Sequence, residues 1–176
     1  SSPADNNTDW LKAKGYTYMH REYHMQRKDS NPLLDHRTTL EFRIPEELDI
    51  PALQNMDALC FGKKPHETEE RFQQLLADRS YHLVIAFQNK VPIGKAHLRW
   101  EENEAILSDI AIVPHLQGQG LGTQLITYCI NFALSEGKPQ IALDVETKNK
   151  RALDLYTKLG FLTHNACDYW KIDIDK

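Results

Sequence analysis

The chain has 176 residues, 41% of them hydrophobic and 26% charged, which suits one well-buried domain rather than two. Lys and Arg total 21 against 25 Asp and Glu, a formal net charge of −4, so no broad basic field points to nucleic acid. Apolar runs such as Ile110 to Pro114 are far below the ~20 residues of a membrane span. Cys60, Cys129 and Cys167 are odd in number and far apart, which argues against a disulfide framework or a zinc knuckle. No signal-peptide pattern opens the sequence, and a cytoplasmic location with free thiols is expected.

Residues 1–38 read as an N-terminal extension and residues 39–176 as the main domain. The first nine residues are polar and read as frayed, and residues 27–32 read as a charged linker. Leu40, Phe42 and Ile44 alternate with polar residues, the mark of a half-buried strand. Pro51 opens a helix carrying Ala52, Leu53, Met56, Leu59 and Cys60 at helical spacing, and Gly62 ends it. Phe72, Leu75 and Leu76 mark a second helix.

Strands are predicted over residues 81–87 and 91–100, joined by the turn Gln88-Asn89-Lys90, and over residues 105–113, stopped by Pro114. A helix follows with Leu121, Leu125, Ile126, Cys129, Ile130 and Ala133 on one face, closed by Gly137. Residues 141–145 read as a buried strand. Asn149 is a candidate N-cap for a helix closed by Gly160, and two short strands, 161–163 and 169–174, end the chain. Antiparallel hairpins followed by a late βαβ crossover predict an α/β fold with a mixed, mostly antiparallel sheet and helices on its faces.

Lys12-Ala13-Lys14-Gly15-Tyr16 echoes Thr157-Lys158-Leu159-Gly160-Phe161. Each is followed by an extended, aromatic segment. On this basis residues 10–26 are expected to be β-structure derived from a preceding copy of the same fold. They would pair with this domain's edge or with another copy in a homodimer.

The strongest chemical signal is residues 110–123, Ile-Ala-Ile-Val-Pro-His-Leu-Gln-Gly-Gln-Gly-Leu-Gly-Thr: a strand, a glycine loop, then an amphipathic helix. Free N–H groups at a helix N-terminus favour an anion, and glycines let a phosphate approach the backbone. The loop has no Lys, so it is not a Walker A loop. Gly118-Gln119-Gly120 with Thr123 approaches a dinucleotide fingerprint. However, four residues separate the strand from the first glycine, and antiparallel hairpins precede the crossover.

Gln117-x-x-Gly120-x-Gly122 after Val113-Pro114-His115 resembles the Q/R-x-x-G-x-G/A motif of the GNAT superfamily of N-acetyltransferases. Asn149, Ala152, Tyr156, Gly160 and Phe161 are similar to that superfamily's N-x-x-A-x-x-x-Y-x-x-x-G-F signature. The resemblance covers residues 39–176. It implies the GNAT acyl-CoA N-acyltransferase fold, with acetyl-CoA as cosubstrate, a primary amine as acceptor and no metal. The backbone of Ile110, Ala111 and Ile112 would pair with pantetheine amides. Gln117, Gly118, Gln119, Gly120, Leu121, Gly122 and Thr123 would hold the pyrophosphate. Asn149 would contact the pantetheine arm, and Tyr156 would protonate the departing thiolate.

Acetyl transfer also needs a proton acceptor for the amine and a donor for the oxyanion. Asp109, Asp144, Glu146 and His97 are candidates for the first, as is a water relay; a backbone N–H near Ile112 would serve the second. The superfamily glutamate that acts as base in some members would fall at Ile106 here. His20-Arg21-Glu22-Tyr23-His24 departs from a zinc-helix motif and reads as surface strand residues. Rival readings are a degenerate, structural acyl-CoA-binding half of a tandem GNAT protein and a dinucleotide-binding domain.

Overall fold

A computed structural model describes residues 8–34 and 38–174. Their elements, in chain order, are α1 (Asp9–Ala13), β1 (Tyr16–Arg27), β2 (Glu41–Arg43), α2 (Ile50–Phe61), α3 (Pro65–Ala77), β3 (Tyr81–Gln88), β4 (Val91–Trp100), β5 (Glu104–Ile112), α4 (Leu121–Ser135), β6 (Gln140–Glu146), α5 (Lys150–Lys158) and β7 (Leu162–Ile172). They group into a larger unit, Lys28–Ala142, and a smaller one made of Ser1–Arg27 with Leu143–Lys176.

In the larger unit the strand order is β2-β3-β4-β5-β6. The first four strands are antiparallel, and β6 runs parallel to β5 with Ala105 opposite Ile141. A two-residue turn with Asn89 and Lys90 at φ 50° and 67° joins β3 to β4, the twist a tight hairpin favours. β3 and β4 are buried on both faces. Ile85 shares one with Lys95 and His97, where Phe72 of α3 packs, and Leu98 shares the other with Leu107 and His82, where Phe132 of α4 packs. Leu53 and Met56 of α2 and Leu125, Ile126 and Ile130 of α4 are also buried. Gly62 closes α2 in the left-handed conformation, as its place after the last apolar residue predicts. Of the apolar residues assigned to α2, Leu59 is exposed while Asp57 is buried. A partner for that carboxylate overrides the apolar pattern.

In the smaller unit the order is β6-β1-β7. β1 pairs antiparallel with β7, from Tyr16 opposite Ile172 to Gln26 opposite Leu162. Residues 16–27 are therefore a strand, but an interior one rather than an edge addition. Arg27 is not linker: it is the buried last residue of β1, and its Nε donates to the Leu159 carbonyl at 2.9 Å. The two short C-terminal strands are one continuous β7. The sequence hid this because residues 164–168 carry few apolar side chains. Pairing with β1, including a two-point Arg21–Asp168 ion pair at 2.8 and 3.0 Å, supplies what apolar alternation does not.

Candidate active site

The glycine loop follows from how β5 ends. Val113 N donates to the Ile93 carbonyl at 2.9 Å, and Pro114–Leu116 then makes a single 3-10 turn. Gly118 and Gly120 take φ 85° and 81°, a region costly for any residue with a Cβ. Space is not the constraint, since a Cβ on Gly120 would meet nothing within 4 Å. Gly120 is the N-cap of α4, no side chain caps it, and no acidic residue stands in the first turn. The helix's first N–H groups thus keep their donor capacity. Buried Leu121, Leu125 and Ile126 hold α4 in place. The result is a fixed concentration of N–H dipoles suited to a phosphate group. Residues 117–120 and Thr123 are exposed, and Gly122 is half-buried. Gln117 turns its side chain back to donate to the Ile112 carbonyl at 2.9 Å.

On β5, Ile110 is half-buried and Ala111 and Ile112 are buried. The pairing of β4 with β5 shifts here. Lys95 faces Ala111 and His97 faces Ser108, so one residue of β4, Ala96, lies opposite two of β5, Asp109 and Ile110. The extra residue makes a bulge, and Asp109 adopts φ 52°.

A polar cluster lies under the bulge. Lys95 and Asp57, both almost inaccessible, form an ion pair at 2.8 Å. Lys95 also lies 3.1 Å from His97 Nε2 and donates to the Asp109 carbonyl at 3.2 Å. The Asp109 carboxylate is 3.5 Å from His97 Nδ1 and 3.7 Å from Arg71. Burial, aided by the Lys95 charge, pushes His97 down to about 3, so it is neutral near pH 7. Burial also pulls Lys95 below the ordinary lysine value, against the opposing Asp57 contact. For Asp109, burial alone would raise the carboxyl. His97, Lys95 and Arg71 together outweigh this and hold it below the ordinary aspartate value. A carboxylate so held is a weak base.

In the smaller unit, Asn149 Oδ1 caps α5 by accepting from Ala152 N at 3.2 Å. Tyr156, on the same helix, is 9% exposed, its ring 5.9 Å from that of Phe161. Burial pushes its hydroxyl up to about 12, so it carries its proton at any physiological pH. Asp144 is exposed, and its Oδ1 meets His24 Nδ1 at 2.8 Å.

Sequence reasoning passed over His20, Glu22 and His24 as catalytic candidates. They occupy alternate positions of β1 and so share a face, and this face meets Asp144 and Glu146 of β6. The alternation was in the sequence, but its value depends on which strand lies beside β1. His20, Glu22 and Glu146 place one imidazole and two carboxylates within 4.8 Å of one another, a group that could hold a cation. Among the described residues no helix is long and apolar enough to cross a membrane.

The family model described as "Acetyltransferase (GNAT) family" matches residues 50–161. The thialysine N-epsilon-acetyltransferase of Bos taurus is 37% identical over 71 residues, 40% of this chain and 42% of that protein. A mycothiol acetyltransferase of Streptomyces scabiei is 29% identical over 148 residues, 78% of this chain and 47% of that one. The chain therefore spans less than half the length of these curated relatives. The solved structure of the paia N-acetyltransferase from Thermoplasma acidophilum in complex with coenzyme A has the same fold, with TM-score 0.64, 17% identity, and coverage of 76% of this chain and 97% of that chain. With the family model covering well over half of its length, from α2 to Phe161, this chain belongs to the GNAT family of acetyltransferases.

Proposed function

We propose that the chain is the acyl-CoA-dependent N-acetyltransferase domain of its protein and moves an acetyl group from acetyl-CoA to a primary amine. The observation that carries this reading is the uncapped N-terminus of α4 behind Gly118 and Gly120, in a chain of the GNAT family. Residues 117–123 hold the pyrophosphate through backbone N–H groups. The backbone of Ile110, Ala111 and Ile112 pairs with the pantetheine amides, and Asn149 contacts the arm.

The amine nitrogen attacks the thioester carbonyl, the C–S bond breaks, and the sulfur leaves with a proton from Tyr156. The amine must first lose its own proton. Asp109 is poorly suited to accept it, being held ionised by its neighbours. Asp144 acts instead together with His24, whose Nδ1 lies 2.8 Å from the carboxylate.

The N-terminal helix and strand are proposed to close a preceding domain of the same fold. The support is that α1, Gly15 and β1 repeat α5, Gly160 and β7, with both glycines at positive φ, and that β1 and β7 pair end to end.

The test is a binding panel of acetyl-CoA, CoA, NAD and NADP by thermal shift, followed by an acetyl-CoA consumption screen over polyamines, aminoglycosides, amino acids and peptide N-termini. Stabilisation by acetyl-CoA and CoA with product from an amine supports the reading. Binding of acetyl-CoA with no product from any amine points to the structural half of a tandem protein. Binding of NAD alone overturns the acyl-CoA assignment.

A further inference from the structure

Lys95 is wholly buried on β4, and an ammonium has three N–H donors to satisfy. Three groups meet Nζ: the Asp57 carboxylate as an ion pair, Oδ1 at 2.8 Å, and two hydrogen-bond partners, His97 Nε2 at 3.1 Å and the Asp109 carbonyl at 3.2 Å. The rings of Phe61 and Phe72 stand 5.5 and 5.6 Å from Nζ and shield it further. Stability alone is a weak reason for such a cluster, since a buried ion pair is often replaced by apolar side chains of similar volume without loss. What an apolar replacement cannot do is hold the third acceptor. That acceptor is the carbonyl of the one residue of β5 in the left-handed region, Asp109 at φ 52°, where the ladder slips by one residue. A non-glycine residue stays in this region only when its surroundings hold it there.

We propose that Lys95, oriented by Asp57, is a positioning residue for the cofactor: by gripping the Asp109 carbonyl it fixes the bulge and so sets the direction of the backbone of residues 110–112. This rests on the reading that those residues receive the pantetheine arm. Asp57 is the anchor, because it fixes Nζ from the α2 side while His97 and the Asp109 carbonyl complete the set. Arg71 and the Asp109 carboxylate lie outside the grip, since Lys95 contacts the Asp109 backbone and not its side chain.

Truncating Lys95 alone would strand a buried carboxylate neither of whose oxygens has a hydrogen-bond partner among the described residues and whose charge is met by the Lys95 ion pair, so the informative variant is Asp57→Leu combined with Lys95→Met. Two readouts are taken: amide exchange of residues 109–112 in the protein without ligand, and the acetyl-CoA Kd by calorimetry. The double variant is expected to melt cooperatively near the parent's temperature, to exchange at least tenfold faster at residues 109–112 but not in β3, and to bind acetyl-CoA at least tenfold more weakly. Adding Asp109→Gly should recover most of that affinity, because glycine adopts positive φ without a grip. Parent-like exchange in the double variant overturns the proposal whatever the ligand does. Faster exchange with acetyl-CoA bound as tightly as by the parent overturns its link to the cofactor. A folded parent that binds no acetyl-CoA instead defeats the acyl-CoA reading, while the exchange data still judge the grip. Should the double variant not fold, Asp57→Asn gives the same exchange readout, and parent-like exchange there also overturns the proposal.

Discussion

Gln117 Nε2 and the Ile112 carbonyl oxygen are joined at 2.9 Å, so the loop after β5 is tied back to the last residue of that strand. Cys60 Sγ donates to the same oxygen at 3.4 Å, which leaves Gln117 to act on the loop's shape rather than on a ligand. Gln117→Ala removes one hydrogen bond from an exposed residue and should cost the fold about 1 kcal/mol or less. The acetyl-CoA Kd should rise by roughly 3- to 10-fold as the loop loosens. Gln117→Glu should do more harm, because its carboxylate repels both the carbonyl and a phosphate. Calorimetric titration of both variants checks the order; equal affinity in all three proteins would show that the tie is irrelevant to binding.

Gly120 separates the effect of charge from that of backbone strain. Its φ of 81° with open space around the Cβ position predicts that Gly120→Ala loses about 1 kcal/mol of stability through strain alone and keeps measurable acetyl-CoA binding. Gly120→Asp carries the same strain, yet its carboxylate favours the helix N-terminus. Its stability in the absence of ligand should therefore match or exceed that of the Ala variant, while its acetyl-CoA thermal shift disappears. An Asp variant that binds like the parent would remove the phosphate from this loop.

Tyr156→Phe leaves the ring on Phe161 and removes only the hydroxyl. Melting temperature and acetyl-CoA Kd should stay near the parent's, while kcat falls by about 10²–10⁴-fold. With the hydroxyl at about 12, no activity should be lost below about pH 11 by ionisation of this residue. A kcat loss under ~3-fold, less than ~1 kcal/mol in the barrier, would place the acid elsewhere.

His24 and Asp144 should behave as one unit. His24→Gln is expected to lower kcat/KM for the amine by about 10²-fold or more with acetyl-CoA affinity unchanged. Asp144→Asn should lower it less, and the double variant should be no worse than His24→Gln. Additive losses would mean that the 2.8 Å contact is a surface ion pair without a shared task.

His97 predicts the acid side of the stability profile. The unfolded chain protonates it near 6.5 and the folded chain only at about 3, so below 6.5 the unfolded state binds the extra proton. Its contribution is fully present above pH 6.5 and is lost as pH falls toward 3, at up to about 1.4 kcal/mol per pH unit. Urea melts at pH 7, 6, 5 and 4 should show a shallower decline for His97→Gln than for the parent. Parallel declines would mean that His97 is protonated in the fold.

The elements whose apolar side chains recur at a fixed period were readable in order: α2, α3, the β3–β4 hairpin, α4 and α5 all lie where spacing and terminal glycines put them. The glycine loop was readable for the same reason, since positive φ at Gly118 and Gly120 is a local property of the chain. Pairing across long sequence separations was not readable. Nothing local in residues 16–27 says that they lie between β6 and β7, and only that placement brings His24 to Asp144. The polar cluster was hidden as a cluster. Asp109 and His97 stood among the candidate bases, but Asp57 and Lys95, from α2 and β4, read as ordinary charged residues, and nothing in the spacing joined the four. Their burial is tolerable only because the tertiary structure supplies partners at hydrogen-bond distance, and desolvation makes that proximity, rather than sequence spacing, the deciding term.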